Sequence, residues 1–171
     1  MIPTLETERL RLRPHRLSDF DAYVEMWADP DVVRFIGGKP FDREQSWSRF
    51  VRNPGMWHVM GFGFFAIEEK ATGNFVGEAG FHEVRRNIVP SIEGTLEAGW
   101  ALNTAGQGWG YATEAMSAAI AWAETAFAGR RMTALIDPDN QPSVRVAKKL
   151  GFAELARTTY ADKPIVLFER E

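Results

Sequence analysis

The chain of 171 residues is 45% hydrophobic and 25% charged, which suits an ordinary globular domain long enough to bury a core without disulfides or a structural metal. It has no cysteine, so thiol nucleophiles, CxxC redox chemistry, Fe–S clusters and Cys-based zinc sites are excluded. A formal charge of -3 supplies no global basic field for nucleic acid or an anionic membrane.

No run approaches the roughly 18 apolar residues of a membrane span. Arg9, Arg11, Arg13 and Arg16 stand where a signal peptide would carry its apolar core. The expectation is a cytoplasmic protein forming one domain over residues 1–171, with no repeat, low-complexity tract or linker. His15, His58 and His82 are scattered singly and no carboxylate spacing completes a metal site, so no metal is expected.

Arg9 to Arg13 alternates arginine with leucine, the period of a half-buried strand. Ser18 with Asp21 opens a first helix carrying Phe20, Tyr23, Val24 and Trp27, which ends at Asp29-Pro30-Asp31. Asp42 with Gln45 opens a second, stopping at Asn53-Pro54-Gly55. Gly61–Glu68 and Phe75–Val84 form a hairpin, and Thr95–Leu102 a further strand. A helix from about Thr113 to Phe127, with Met116, Ala119, Ile120 and Ala123 on one face, is closed by Gly129. Met132–Asp137 reads as a buried strand, Ser143–Leu150 as a short helix, and Phe152–Tyr160 and Pro164–Arg170 as closing strands. The fold class is α/β (α+β): a mixed, mostly antiparallel twisted sheet of about seven strands flanked by about four helices. One right-handed crossover joins parallel strands between Thr95 and Asp137.

Leu96 to Ala115 reads LEAGWALNTAGQGWGYATEA, a strand, a loop with Gly106, Gly108 and Gly110, then a helix. Such glycines let consecutive N–H groups point inward, and the helix start adds unpaired donors and a positive dipole end, so the segment suits a phosphate. The competing reading is a Gly-rich turn that caps a helix and binds nothing. No lysine lies between Lys70 and Lys148, so the P-loop motif is absent. Gly106-Gln107-Gly108-Trp109-Gly110 approximates a dinucleotide fingerprint, but its third glycine falls one place early and only one crossover unit is present.

A third motif is Gln107-Gly108-Trp109-Gly110-Tyr111-Ala112 followed by Thr113-Glu114-Ala115, which resembles the acyl-CoA loop of the GNAT N-acetyltransferases. Arg9-Leu10-Arg11-Leu12-Arg13-Pro14, Gly99-Trp100-Ala101-Leu102, Asn140-Gln141-Pro142-Ser143 and Lys149-Leu150-Gly151-Phe152 extend the likeness, in order, to the RimJ/RimL-like branch over nearly the whole chain. The resemblance implies acetyl-CoA as cosubstrate, an amine acceptor and direct attack in a ternary complex. It implies that main-chain N–H groups of Gly108, Gly110, Ala112 and Thr113 hold the diphosphate, with Gln107 opening the loop. It also implies that Trp100 and Leu102 pair with the pantetheine arm. Asn140 either bonds the pantetheine or caps its helix. Trp109 and Tyr111 are read as packing residues.

The attacking amine must be neutral, which calls for a base or water relay. Glu97 is the first candidate, because it interrupts an apolar strand leading to the loop and burial would raise its pKa. A structural ion pair is the competing role for Glu97, and Glu78 and His82 are the alternative bases. Ser143 stands where many family members have a tyrosine that reprotonates the CoA thiolate, and Tyr160 is too distant in sequence to inherit that role. An oxidoreductase using the same loop and a non-catalytic acyl-CoA-binding module are the rival functions. Trp27, Phe35, Phe41, Trp47 and Trp57 are core or acceptor-pocket residues. The acceptor's identity, the acyl-chain preference and the oligomeric state, monomer or homodimer, stay open.

Overall fold

The computed structural model describes every residue from Met1 to Glu171. The leucines of the opening alternation decide its first strands: Leu10 and Leu12 are fully buried on β2 (Leu10–Arg13), which pairs antiparallel with a two-residue β1 (Leu5–Glu6). Two residues cannot display alternation, which is why β1 escapes the sequence reading. The helices α1 (Phe20–Ala28), α2 (Pro30–Val33) and α3 (Arg43–Met60) follow, then β3 (Phe64–Glu69) and β4 (Phe75–His82). The crossover is β5 (Leu96–Leu102), α4 (Tyr111–Ala126) and β6 (Met132–Ile136). The chain closes through α5 (Gln141–Lys149), β7 (Ala153–Tyr160) and β8 (Lys163–Arg170). No helix is long and apolar enough to cross a membrane.

Eight strands form one sheet in the order β1-β2-β3-β4-β5-β6-β8-β7. Every neighbouring pair is antiparallel except β5 with β6. Against one face α4 lays Ala115, Met116, Ala119, Ile120 and Ala123, which share a core with Leu10, Phe65, Ile67 and Phe81. On the other face Tyr23, Met26, Trp27 and Phe50 of α1 and α3 pack on Ala66, Phe75 and Ala101. Strand alternation therefore aims Glu78, His82, Glu97 and Gly99 toward the α1–α3 layer, because Ala101 and Ala66 face it and the β4/β5 register aligns Glu78 with Ala101 and His82 with Glu97.

Several helix boundaries differ from expectation. Asp19, not Ser18, accepts the Arg16 N–H at 2.7 Å and opens the first helical turn. The Asp29-Pro30 break is followed by α2, because Asp29 caps it by accepting the Asp31 N–H at 2.9 Å and Pro30 occupies a first-turn position that needs no N–H donor. Asp42 and Gln45 form the expected capping box, at 2.8 and 3.0 Å. The helix they open passes Pro54 and stops only at Gly61 (φ 76°). Burial of Trp57, whose indole N–H donates to the Phe64 carbonyl at 3.0 Å, holds the last turns in place against the proline's missing hydrogen bond.

Candidate active site

The parallel ladder between β5 and β6 is two residue pairs long, Leu96 with Met132 and Glu97 with Thr133. β5 then continues to Leu102 and β6 to Ile136 unpaired with each other, so the sheet opens into a cleft. The Leu96 N–H donates to the Arg131 carbonyl at 2.9 Å. Main-chain groups at alternate positions, Ala98, Trp100 and Leu102, therefore face the same side, and at Trp100 and Leu102 that side is the cleft. Gln107 takes one of these groups, since its side-chain amide donates to the Leu102 carbonyl at 3.0 Å.

At the wide end of the cleft lies the Gly-rich loop. Asn103 fixes its start by accepting the Gly106 N–H at 2.8 Å. Gly108 and Gly110 both have φ of 81°, a left-handed conformation that glycine adopts without a Cβ penalty. Gly110 is the N-cap of α4 and offers no side-chain acceptor. The N–H groups from Gly108 through Thr113 meet no protein carbonyl, and the first that does is Glu114, donating to the Gly110 carbonyl at 3.1 Å. Six successive donors thus stand unpaired at and just before the positive end of a four-turn helix, an arrangement fitted to an anion.

Arg9 braces this turn. Its guanidinium donates to Glu114 at 2.7 Å and to the Trp109 carbonyl at 2.9 Å. The Thr7 hydroxyl donates to the same carboxylate at 2.6 Å. The only acidic side chain in the first turn of α4 is thereby neutralised, leaving the dipole field available to a ligand. Trp109 is 64% exposed and its indole N–H donates to the Ala105 carbonyl, so it is a loop brace at the surface. Tyr111 is buried in the core and donates its hydroxyl to Glu69. The alternation of Arg9–Arg13 marks a strand but gives no sign of this role for Arg9, whose partner Glu114 lies 105 residues away in the chain.

The narrow end of the cleft leads to a cavity of about 150 Å³, walled by Trp27 and Arg49 from the helical layer, Glu78, His82 and Glu97 from the sheet, and Ser143 from α5. Glu97 is 4% exposed. Arg86 grips its carboxylate in a fork, at 2.8 and 2.7 Å, while His82 Nε2 lies 2.8 Å from Oε1. Burial alone would raise the Glu97 carboxyl, as expected from the sequence, but the hydrogen bonds and charges of His82 and Arg86 outweigh it and bring the pKa down to about 2. Arg86 arrives from the loop after β4, 11 residues from Glu97 in the chain, and no sequence pattern links the two. Its guanidinium also stacks on Tyr160, 4.7 Å from the ring centre.

Glu78 is 1% exposed. It accepts from the Asn53 amide at 3.1 Å and the Tyr23 hydroxyl at 3.4 Å, with His15 Nε2 3.2 Å and Arg49 3.4 Å away. Burial raises its pKa less than His15, Arg49 and Asn53 lower it, so this carboxylate too is held ionised. Asn140 takes the capping role on α5, accepting the Ser143 N–H at 3.2 Å, and also lines the cavity. That leaves the Ser143 hydroxyl outside the cap.

A cleft between two diverging parallel strands, an unpaired helix start at its mouth and a cavity at its apex together make a site for a long ligand with an anionic end. Residues 9–153 match the acetyltransferase (GNAT) domain. The chain belongs to the GNAT acetyltransferase family. The enzyme is 32% identical over 173 residues to YkkB of Bacillus subtilis, covering 98% of this chain and 95% of that protein. It is 30% identical over 150 residues to N-acetyltransferase p20 of Bacillus licheniformis, covering 87% and 82%. Among solved structures, an acetyltransferase from Agrobacterium tumefaciens superimposes with a TM-score of 0.86 at 30% identity, over 100% of this chain and 95% of that one. The structure of RimL in complex with coenzyme A shares the fold, with a TM-score of 0.78 at 16% identity over 98% and 97%. Acetyl-CoA is the family's acyl donor, and N-acetyl transfer is the activity for which this enzyme's relatives are named.

Proposed function

We propose that the enzyme transfers the acetyl group of acetyl-CoA to a primary amine by direct attack within a ternary complex. The observation that carries this reading is the alignment of the β5/β6 cleft with the six unpaired N–H groups from Gly108 to Thr113. The diphosphate rests on those groups, and the pantetheine amides take the place of a β6 strand against Trp100 and Leu102. With its carbonyl held by Gln107, Leu102 contributes its N–H.

The thioester then reaches the cavity, where a β5 N–H stabilises the developing oxyanion. The amine nitrogen bonds to the thioester carbon and the C–S bond breaks. His82 accepts the amine's surplus proton, directly or through one water. A carboxylate can only accept, so Glu97 fixes the proton on His82 Nε2 and leaves Nδ1 as the basic nitrogen. Glu97 is accordingly a positioning residue, since the hydrogen bonds it accepts from His82 and Arg86 hold its carboxyl below the ordinary carboxylate range, too weak a base for an ammonium. The Ser143 hydroxyl donates a hydrogen bond to the leaving thiolate, and Asn140 orients the loop around it.

Acetyl-CoA is expected to raise the melting temperature, whereas NAD and NADP leave it unchanged. Gly110→Glu is expected to weaken acetyl-CoA binding by at least about tenfold in calorimetry while the helical circular dichroism stays intact, through steric crowding, charge repulsion and a non-glycine residue at positive φ. Unaltered affinity in that variant contradicts the loop assignment.

A further inference from the structure

The Glu97 carboxylate has two neighbours able to carry positive charge where one would neutralise it. Arg86 donates to it at 2.8 and 2.7 Å, and His82 Nε2 stands 2.8 Å from Oε1. All three side chains are at most 18% exposed. Burial penalises net charge, so the trio settles where its charges cancel. With the guanidinium present, cancellation requires an uncharged imidazole. Without it, the same carboxylate would require the proton that charges His82.

The groups around the trio leave that count standing. Phe64 of β3 meets the His82 ring edge-on, 5.2 Å between ring centres, and brings no charge. Across the cavity, Arg49 of α3 and Glu78 of β4 pair with each other at 3.4 Å. Arg52 of α3 is exposed and acts on Arg86 as a like charge, which works in the same direction as the guanidinium. Asp137 works the other way, but it lies just past the end of β6 and is only half-buried, so water screens it.

Arg86 is placed by the fold and not by Glu97 alone. Its guanidinium carbon lies 4.7 Å from the centre of the Tyr160 ring on β7. The preceding Arg85 turns the chain at φ 51°, a left-handed conformation uncommon for a residue with a Cβ, and its N–H donates to the Glu83 carboxylate at 3.0 Å. Ile88 and Ile92 pin the rest of the loop onto Leu167 of β8. Such a conformation persists where the surrounding structure over-determines it, and here it delivers a cation to a buried carboxylate that a histidine already contacts.

Resting on the acetyltransferase reading above, we infer that Arg86 is a positioning residue for proton transfer: by carrying the counter-charge of Glu97 it leaves the His82 imidazole uncharged and able to take the acceptor amine's proton.

The test follows the imidazole signals of full-length enzyme carrying isotope-labelled histidine by NMR across a pH titration, with the three histidines assigned through His58→Gln and His82→Gln. Arg86→Gln is expected to raise the His82 titration midpoint by at least about one pH unit, a tenfold or greater gain in proton affinity. Arg86→Met, which keeps an apolar stem against Tyr160, serves should the first variant fail to fold. Arg86→Lys restores the charge without the fork, and is expected to hold the midpoint within about half a unit of the unaltered enzyme. Adding Glu97→Gln to Arg86→Gln is expected to abolish the rise, because no buried carboxylate is left to neutralise. A midpoint that is unchanged or falls without the guanidinium, or that rises equally in Arg86→Lys, overturns the inference. In thiol release from acetyl-CoA with a primary amine as acceptor, the acid limb is expected to follow the midpoint upward. A limb that ignores a shifted midpoint removes His82 from the base role, and failure of acetyl-CoA to bind removes the acetyltransferase reading. Either outcome defeats the reading above while the coupling of Arg86 to His82 stands.

Discussion

Glu97 illustrates how one side chain's role depends on neighbours that lie far from it in sequence. An acidic residue inside an apolar strand reads as a base with a raised pKa, yet the Arg86 fork reverses the sign of the shift. On the proposed mechanism, His82→Ala lowers kcat by about 10²- to 10⁴-fold, the usual contribution of a general base. Glu97→Gln lowers it less, because His82 keeps its ring and loses only its tautomer lock. The discriminating readout is the pH–rate profile: Glu97→Gln shifts its acid limb while acetyl-CoA affinity stays constant. An unshifted limb with reduced kcat removes Glu97 from the proton path and leaves it a structural ion pair.

At the level of elements, what was legible in the sequence is what local spacing determines. The Asp42–Gln45 capping box, the face of α4 built from Met116, Ala119, Ile120 and Ala123, and the Gly108/Gly110 loop all follow from residues within a few positions of one another. The misreadings share one physical cause. Pro54 is a breaker by local rule, but α3 continues because Trp57 finds a buried site and a carbonyl partner in Phe64. The β5/β6 cleft is likewise invisible locally, since it depends on two strands separated by a helix ceasing to pair after Thr133. Arg49, Asn53 and His15 escaped the site reading for the same reason: they reach Glu78 from outside its strand, Arg49 and Asn53 from adjacent turns of α3 and His15 from the segment after β2.

Across the whole molecule, buried charge ties the helical layer to the sheet. Arg13, 4% exposed, donates to both oxygens of Asp19 at 2.8 Å and to Glu68 at 2.6 Å. Arg13→Ala leaves Asp19 with the Arg16 N–H but no cation and Glu68 with Arg11 alone, and is expected to cost about 3 kcal/mol of unfolding free energy in denaturant titration. The charge network also fixes a pH dependence. Asp19 is raised by burial but lowered further by Arg13 and the Arg16 N–H, and Glu68 is lowered by Arg13. With Glu97 lowered from 4.5 to about 2, these groups bind protons more weakly folded than unfolded. Their stabilisation is therefore full above the ordinary carboxylate range and disappears as pH falls from about 4.5 toward 2. The melting temperature should drop steeply over that window, and Glu97→Gln should flatten the drop.

All of this assembles around a cleft whose mouth is six unclaimed N–H groups. The most direct measurement is a crystal structure of the enzyme with coenzyme A. The account predicts diphosphate oxygens within hydrogen-bonding distance of the N–H groups of Gly108 to Thr113 and the pantetheine lying between β5 and β6. A coenzyme bound elsewhere, or those N–H groups turned onto the protein's own carbonyls, contradicts it.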